Sequence, residues 1–245
     1  MLGDGSGVPS QTPVSVTGLG DATALALGVA HTCALRASGH VICWGANASG
    51  QLGNNTLTDR PEPFDEVVVS GGSALTNIVE LDAGVGDNTN GSRFTCARTS
   101  SGLVQCWGYN ASGALGRDQA AATGSPFAAP VVSGPGSTMP LMDVSRVELG
   151  LDFGCAQTSS GLVCWGRNTE GQLGIGSTTN TRAPVSVPGL PAFSDWCVGY
   201  AHACVLATDG RVLCWGDNGR GQAGQDSLAR VTSPTEVMSL RRGPP

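Results

Sequence analysis

Nine cysteines are the residues whose type and spacing could do chemistry, and eight of them fall into four pairs: Cys33/Cys43, Cys96/Cys106, Cys155/Cys164 and Cys204/Cys214. Cys197 is left over. Three chemistries compete for such thiols. Zinc sites favour closely spaced ligands such as Cys-x-x-Cys, and the chain has no such pair. Buried free thiols would behave as small apolar side chains. Cross-strand disulfides fit the spacing best. Ser38 lies midway between Cys33 and Cys43, so Ala37-Ser38-Gly39 reads as a three-residue hairpin loop, which wants glycine last, in the left-handed position. Ser100-Ser101-Gly102 and Thr208-Asp209-Gly210 obey the same rule. Facing residues on paired strands have Cα atoms about 4.5 or 5.5 Å apart, both within disulfide range. Cys155 and Cys164 are nine apart, so their opposition needs a two- or four-residue loop. Disulfides would place the chain in an oxidising compartment. Cys197 aligns with Ala26 on a first strand and is expected to be a buried free thiol.

Histidine offers less. His31 and His202 share one repeat position, where the other two copies carry Phe94 and Phe153, so the ring is expected to do structural work. His40, just past a turn, is expected to be exposed. Catalysis needs a base, a nucleophile and an orienting group in one cleft, and no nucleophile elbow, His-Glu-x-x-His or phosphate-binding loop is present. Asp65 and Glu66, adjacent acids before a strand, read as solvated. Asp87-Asn88-Thr89-Asn90-Gly91 lacks the alternating acids and distal Glu of a calcium loop and reads as a polar surface turn. The sequons at Asn47, Asn54, Asn90 and Asn110 matter only in a eukaryotic secretory setting; Asn47 and Asn110 read better as turn residues. The expectation is a protein with no catalytic residues, no metal and no cofactor.

The elements that would position these residues are repeats. Cys-Trp-Gly occurs at Cys43, Cys106, Cys164 and Cys214, with spacings of 63, 58 and 50 residues, near the period of propeller blades and longer than helical solenoid repeats. Short strands broken by glycine recur about four to a repeat, and no amphipathic helix of useful length appears, so the fold class is all-β, a β-propeller of four full repeats plus a partial N-terminal one. The boundaries are 1–20 for the partial repeat completing a blade, 21–77, 78–140, 141–191 and 192–240 for the four repeats, and 241–245 for a tail. Side chains alternate across a strand, so each Trp of Cys-Trp-Gly faces away from its cysteine. Trp44, Trp107, Trp165 and Trp215 are expected in the core, with Trp196 beside them. Proline-containing segments at Pro13, Pro61, Pro130, Pro184 and Pro234 should start the last strand of each blade. Long polar loops on a rigid array are where binding resides. The two insertions are Val85 to Arg93, and Arg117 to Ala129 with Ser133 to Pro140. They supply the candidate binding residues Asp87, Asn88, Asn90, Arg93, Arg117, Asp118 and Phe127.

The totals set bounds. With 37 glycines in 245 residues, 40% apolar content and 13% charged residues, the chain should fold compactly, since disorder needs low hydrophobicity and high charge. A net charge of −6 and no basic run beyond Arg241-Arg242 argue against nucleic acid as a partner. No apolar run reaches the length of a membrane span, and the N-terminus lacks the order of a signal peptide. Leu2-Gly3-Asp4-Gly5 with Pro13-Val14-Ser15-Val16 matches Leu173-Gly174-Ile175-Gly176 with Pro184-Val185-Ser186-Val187, so the chain starts in mid-repeat. Either a borrowed strand closes the first blade or the protein begins upstream.

The combination Gly28-x-x-His31-x-x-x-Leu35, the Cys43-Trp44-Gly45 hairpin, Asn47-x-x-Gly50-Gln51-Leu52-Gly53 and a downstream proline and valine resembles the repeat of the regulator of chromosome condensation family. The resemblance recurs four times and covers nearly the whole chain. It implies a β-propeller, usually of seven blades, of which four and a part are present here. That leaves a four-bladed ring, a truncated propeller, or an open arc that self-associates. The cysteine pairs look more like the bacterial and extracellular versions of the repeat than the nuclear exchange factor. The function expected is a non-enzymatic protein-binding scaffold, exported (extracellular or periplasmic) or surface-associated in a bacterium. The alternative is a guanine-nucleotide exchange factor for a small GTPase.

Overall fold

The structure, a computed structural model, describes residues 1–86, 93–118 and 124–237. It is all-β among those residues, with fifteen strands in four antiparallel sheets. Blade 1 holds β1 (Ala22–Leu27), β2 (His31–Arg36) and β3 (Val41–Gly45); blade 2 holds β4 (Ile78–Ala83), β5 (Phe94–Thr99), β6 (Val104–Tyr109) and β7 (Gly124–Pro130). Blade 3 runs β8 (Arg146–Leu149), β9 (Phe153–Thr158), β10 (Gly161–Gly166) and β11 (Thr181–Ser186). Blade 4 runs β12 (Phe193–Val198), β13 (His202–Ala207), β14 (Val212–Gly216) and β15 (Val231–Glu236). Within each blade the strands meander in sequence order, and consecutive blades touch through their innermost strands β1, β4, β8 and β12. The result is a partial propeller.

The hairpins follow from their turns. Leu35 pairs with Val41 and Arg98 with Val104, and Gly39, Gly102 and Gly210 take φ of 78°, 80° and 88° at the end of their loops. In blade 3 the loop shortens to Ser159-Ser160, because Thr158 pairs with Gly161, and this keeps Cys155 opposite Cys164. The glycine of Cys-Trp-Gly has its own reason. Gly45, Gly108, Gly166 and Gly216 have φ between 98° and 114°. In blades 2 to 4 they also mark a register break toward the outermost strand. A Cβ at any of them would run into the carbonyl oxygen preceding the second strand of the blade, as at Ala30 and Ala201, so only glycine fits the bulge.

Proline marks the outermost strand, though not its start. Pro184 and Pro234 lie within β11 and β15, while Pro126 and Pro130 lie within and at the end of β7. All three strands are sheet edges, where a missing N–H costs no ladder bond. Blade 1 lacks this strand. Its place is taken by isolated bridges from Gly45 to Arg60 and from Ile42 to Glu66, with Pro61 and Pro63 between them unable to donate.

The sheets pack by a repeated rule. One face of each carries the cysteines, the other the tryptophan, and the sulfur face of one blade meets the tryptophan face of the next. Cys33, Leu35, Val41 and Cys43 join Ala83, Ala97 and Trp107 in one buried cluster; Cys96, Val104 and Cys106 join Leu149, Ala156 and Trp165; Cys155, Leu162 and Cys164 join Trp196, Val205 and Trp215. Apolar burial, at about 25 cal/mol per Å², is thus gathered into a separate cluster at each blade interface.

Candidate interaction rim and blade interfaces

All eight paired cysteines close disulfides: Cys33–Cys43, Cys96–Cys106, Cys155–Cys164 and Cys204–Cys214, each with Cα atoms 4.1 Å apart. That is the narrow spacing of a non-hydrogen-bonded cross-strand pair. Cys197 is free, as expected, but it is exposed rather than buried. Its position is that of Ala26 in blade 1, which is buried with Ala83, Ala97 and Trp107 of the next blade. Burial of part of the side chain and the nearby carboxylates of Glu148 and Asp195 raise its thiol pKa.

Each tryptophan locks its blade to the one before it. The indole N–H of Trp107 donates to the Gln51 carbonyl at 3.0 Å, that of Trp165 to Ala114 at 2.8 Å, and that of Trp215 to Gln172 at 3.0 Å. Gly53, Gly116 and Gly174 lie against these rings so closely that a Cβ would collide, which accounts for the last glycine of Gly-Gln-Leu-Gly. Gly3 lies on Trp44 in the same way, with Val16 and Leu19 beside it, so the N-terminal segment stands where a preceding blade's loop and last strand would stand. The Asn that opens each loop is a turn residue, as expected. Asn47, Asn110, Asn168 and Asn218 each accept from a backbone N–H five residues on, and all four are buried.

His31 is buried, with Nε2 2.7 Å from the Thr95 hydroxyl of blade 2. Burial, with the Arg93 charge adding to it, lowers its pKa to about 4, so the ring is neutral at pH 7. His202 faces no following blade and is only partly buried, and its pKa is lowered less strongly for the same leading reason. His40 is half-buried rather than exposed, because its Nδ1 pairs with Glu66 at 2.8 Å. Nor are Asp65 and Glu66 simply solvated: Asp65 pairs with Arg60 at 3.0 Å, and Glu66 also faces Arg36.

Acids on the inner strands were not picked out by sequence reasoning. Glu80 and Asp82 of blade 2 accept from the Val147 and Leu149 N–H groups of blade 3, at 3.3 and 2.7 Å. Glu148 accepts from Val198 of blade 4 at 2.9 Å. These carboxylates satisfy the free edge of the next blade's innermost strand. Burial outweighs the two backbone bonds at Asp82 and raises its pKa to about 6. The signal available was the alternation Glu80-Leu81-Asp82-Ala83 and Arg146-Val147-Glu148-Leu149, acids placed on a strand with both faces covered.

The candidate binding residues scatter. Asp87, Asn88 and Asn90 lie outside the described residues. Arg93 is half-buried, and its backbone carbonyl accepts from the Tyr109 N–H. Arg117 turns inward to the Cys106 carbonyl, and burial lowers its pKa to about 10. Asp118 is exposed, with φ 52° and a bond to the Gly136 N–H. Phe127 is not on a loop: it lies in β7, half-buried and bridged to Asn54. The meander does gather the insertions. The ends of β4 and β5 at Ala83 and Phe94, and of β6 and β7 at Tyr109 and Gly124, lie at the rim that carries the Asn-x-x-Gly-Gln-Leu-Gly loops; Val131 and Val144 are tied to Val104 and Gly102 by the opposite rim's turn, but between them Val132 and Gly136 donate to Gly116 and Asp118. A small polar pocket on the first rim, between blades 2 and 3, is lined by Ser112, Asp118, Asn180 and Arg182.

Tryptophan-locked, cystine-stapled meanders stacked on one another define a β-propeller repeat protein. The regulator of chromosome condensation (RCC1) repeat matches residues 22–86, 91–114 and 161–222 in overlapping and separate stretches, and the chain belongs to that family. It is 32% identical over 191 residues to the human E3 ubiquitin-protein ligase HERC2, covering 77% of this chain and 4% of that protein. It is 29% identical over 191 residues to the ultraviolet-B receptor UVR8 of Arabidopsis thaliana, covering 76% of this chain and 39% of the receptor. Among solved structures, human WBSCR16 superposes with a TM-score of 0.71 at 22% identity, covering 89% of this chain and 53% of that one. Prp20p of Saccharomyces cerevisiae gives 0.71 at 20% identity, covering 94% and 54%. The chain thus spans a small part of these relatives and about half of the propellers it superposes on.

Proposed function

We propose that this chain is a protein-binding propeller scaffold of an oxidising compartment, exported or held at a cell surface, and that its partner sits on the rim bearing the two insertions. The carrying observation is topological: the strand ends that flank both insertions, Ala83 and Phe94 and then Tyr109 and Gly124, lie on the same rim, on a framework stapled by four disulfides. Four cross-strand disulfides suit an oxidising environment. A bacterial host for that exported setting is the expectation that the cysteine-paired hairpins carry from their resemblance to bacterial and extracellular repeats. A rigid scaffold lowers the ordering cost of binding, which is how such rims hold partners with modest contact area.

The exchange-factor reading has the fold likeness to Prp20p, a protein whose structure was described with its binding to Gsp1p and histones. The disulfides weigh against it, because a nuclear or cytosolic protein works among reduced thiols. The test is a pair of loop exchanges. Replacing residues 118–123 by a short Gly-Ser linker should abolish recovery of the partner in a cross-linking pull-down, while the same exchange at residues 188–191, beside the Ser159-Ser160 turn on the opposite rim, should leave it intact. Equal recovery by both variants would defeat the rim assignment.

A further inference from the structure

The junction between blades 3 and 4 departs from the other two on the rim of the hairpin turns. At the first two junctions the last residue of the turn bridges to the next blade: the Gly39 carbonyl accepts from the Ile78 N–H at 3.0 Å, and that of Gly102 from Val144 at 3.1 Å. The residue before each donor, Asn77 or Asp143, takes φ of 61° or 58° to bring it there. Blade 3 lacks both parts. Its turn is the two residues Ser159-Ser160, and Ala192 stands where Asn77 and Asp143 stand, outside the left-handed region. The following peptide keeps its orientation all the same. The Ala192 carbonyl accepts from Thr208 as that of Asn77 does from Ser100, so the trans peptide turns the Phe193 N–H toward blade 3. A cleft of about 440 Å³ lies there, and a Cβ on Gly161 would touch nothing within 4 Å.

The lining specifies a ligand. Gln157, Ser159, Ser160 and Ser186 offer an amide and three hydroxyls, Val187, Leu190 and Phe193 give an apolar floor, and no ionisable side chain is among the described residues that line it. The Gln157 amide is oriented, because its Oε1 accepts from the Trp196 indole at 3.0 Å, which leaves its nitrogen to donate. Leu190 is half-buried, whereas Leu75 and Leu141 at the same position are sealed. We propose that this cleft binds a neutral N-acetylated sugar, whose acetamido carbonyl takes the place of the missing glycine carbonyl at the Phe193 N–H. The acetyl methyl then rests on Val187 and Leu190, and Gln157 and the serines are left for the ring hydroxyls, the few placed polar groups over an apolar floor that a small-molecule site needs. A peptide fits less well: both edges of β10 are already paired, with β9 and β11, so the main chain would find a single N–H. The cleft is on the rim opposite the two insertions, and its ligand is independent of the partner assigned to them.

The test is titration of the full oxidised chain, read by amide chemical shifts and calorimetry. The probes are N,N′,N″-triacetylchitotriose, cellotriose, which carries hydroxyls in place of the acetamido groups, and N-acetyl-trialanine amide. The acetylated trisaccharide should bind at millimolar concentration or below, shift the amides of Leu190 and Phe193, and bind about tenfold more tightly than cellotriose. Gln157→Leu, which installs the side chain that Leu35 supplies in blade 1, should weaken binding about tenfold. A glycine inserted after Ser160, together with Ala192→Asn, restores the arrangement of the first two junctions and should abolish binding with the fold retained. Four results overturn the proposal: no shift at Leu190 and Phe193 at millimolar sugar, equal binding of cellotriose, preference for the peptide, and binding undiminished in either variant.

Discussion

Blades 2 and 4 have the same four strands, the same cystine register and the same tryptophan, and they differ in what lies on the sulfur face. In blade 2, Cys96, Val104 and Cys106 are sealed beneath blade 3; in blade 4, Leu206, Val212 and Cys197 look outward. A blade of this repeat therefore does not finish its own core. The hairpin and the disulfide are local products of turn chemistry, while burial is supplied by the neighbour, as expected of an array whose stability is a sum of unit and interface terms.

The comparison breaks most sharply at the tryptophans. Trp165→Ala removes a fully buried indole and its bond to Ala114, and should cost about 3–5 kcal/mol, read as a lower midpoint in urea. Trp44→Ala should cost markedly less, because only the N-terminal segment covers that ring's outer side. Equal losses would show that the N-terminal segment seals blade 1 as well as a blade does.

The disulfides come next. Each closes a loop of about ten residues, for which chain entropy predicts about 2–3 kcal/mol per bridge. Cys96→Ser/Cys106→Ser should lower stability by about that amount. Under graded reductant, Cys204–Cys214 should open before Cys96–Cys106, since attack by an external thiol needs access.

Acid sharpens the contrast between His31 and the phenylalanines that replace it in blades 2 and 3. His31 has a folded pKa of about 4 against an ordinary value of 6.5, so between those values the unfolded chain binds more protons. Its contribution is complete above about pH 6.5 and is lost as pH falls toward 4, up to about 3 kcal/mol. His31→Phe should flatten that slope in denaturation measured from pH 7 to pH 4. Asp82 acts with the opposite sign: its pKa is raised to about 6 from 3.8, so the folded state gains stability as pH falls through that window, and Asp82→Asn should steepen the acid loss. A variant series with no change in slope would mean that both groups are solvated.

The smallest effect is local. Gly210→Ala in the blade 4 turn forces a side chain to φ 88°, with no neighbour within reach of its Cβ. The cost should be about 1 kcal/mol from backbone strain alone. Gly102→Ala, whose Cβ would press on the Asp143 and Val144 backbone, should cost more.

What the sequence shows is what neighbours in the chain decide. The spacing of Cys33 and Cys43 about Ser38 determines a turn, the turn determines the register, and the register puts sulfur and indole on opposite faces. Cys197 was misjudged for the complementary reason: its strand reads as core, but its burial depends on a following blade that no local pattern reports. Phe127 was misplaced because β7 follows an insertion and carries two prolines, which hid a strand among loop signals. His40 meets Glu66, 26 positions on, because residues 60–66 stand in for the outermost strand of blade 1, and Asp82 reaches Leu149, 67 positions on, only through the stacking of blades.

The difference between sealed and open sulfur faces is tested most directly by native thiol labelling followed by intact mass, first without reductant, then with graded reductant and peptide mapping. One label at Cys197 without reductant, then Cys204 and Cys214, with the remaining six cysteines last, is the outcome this account predicts. Nine labels without any reductant, or none at Cys197 while the other pairs open together, would contradict it.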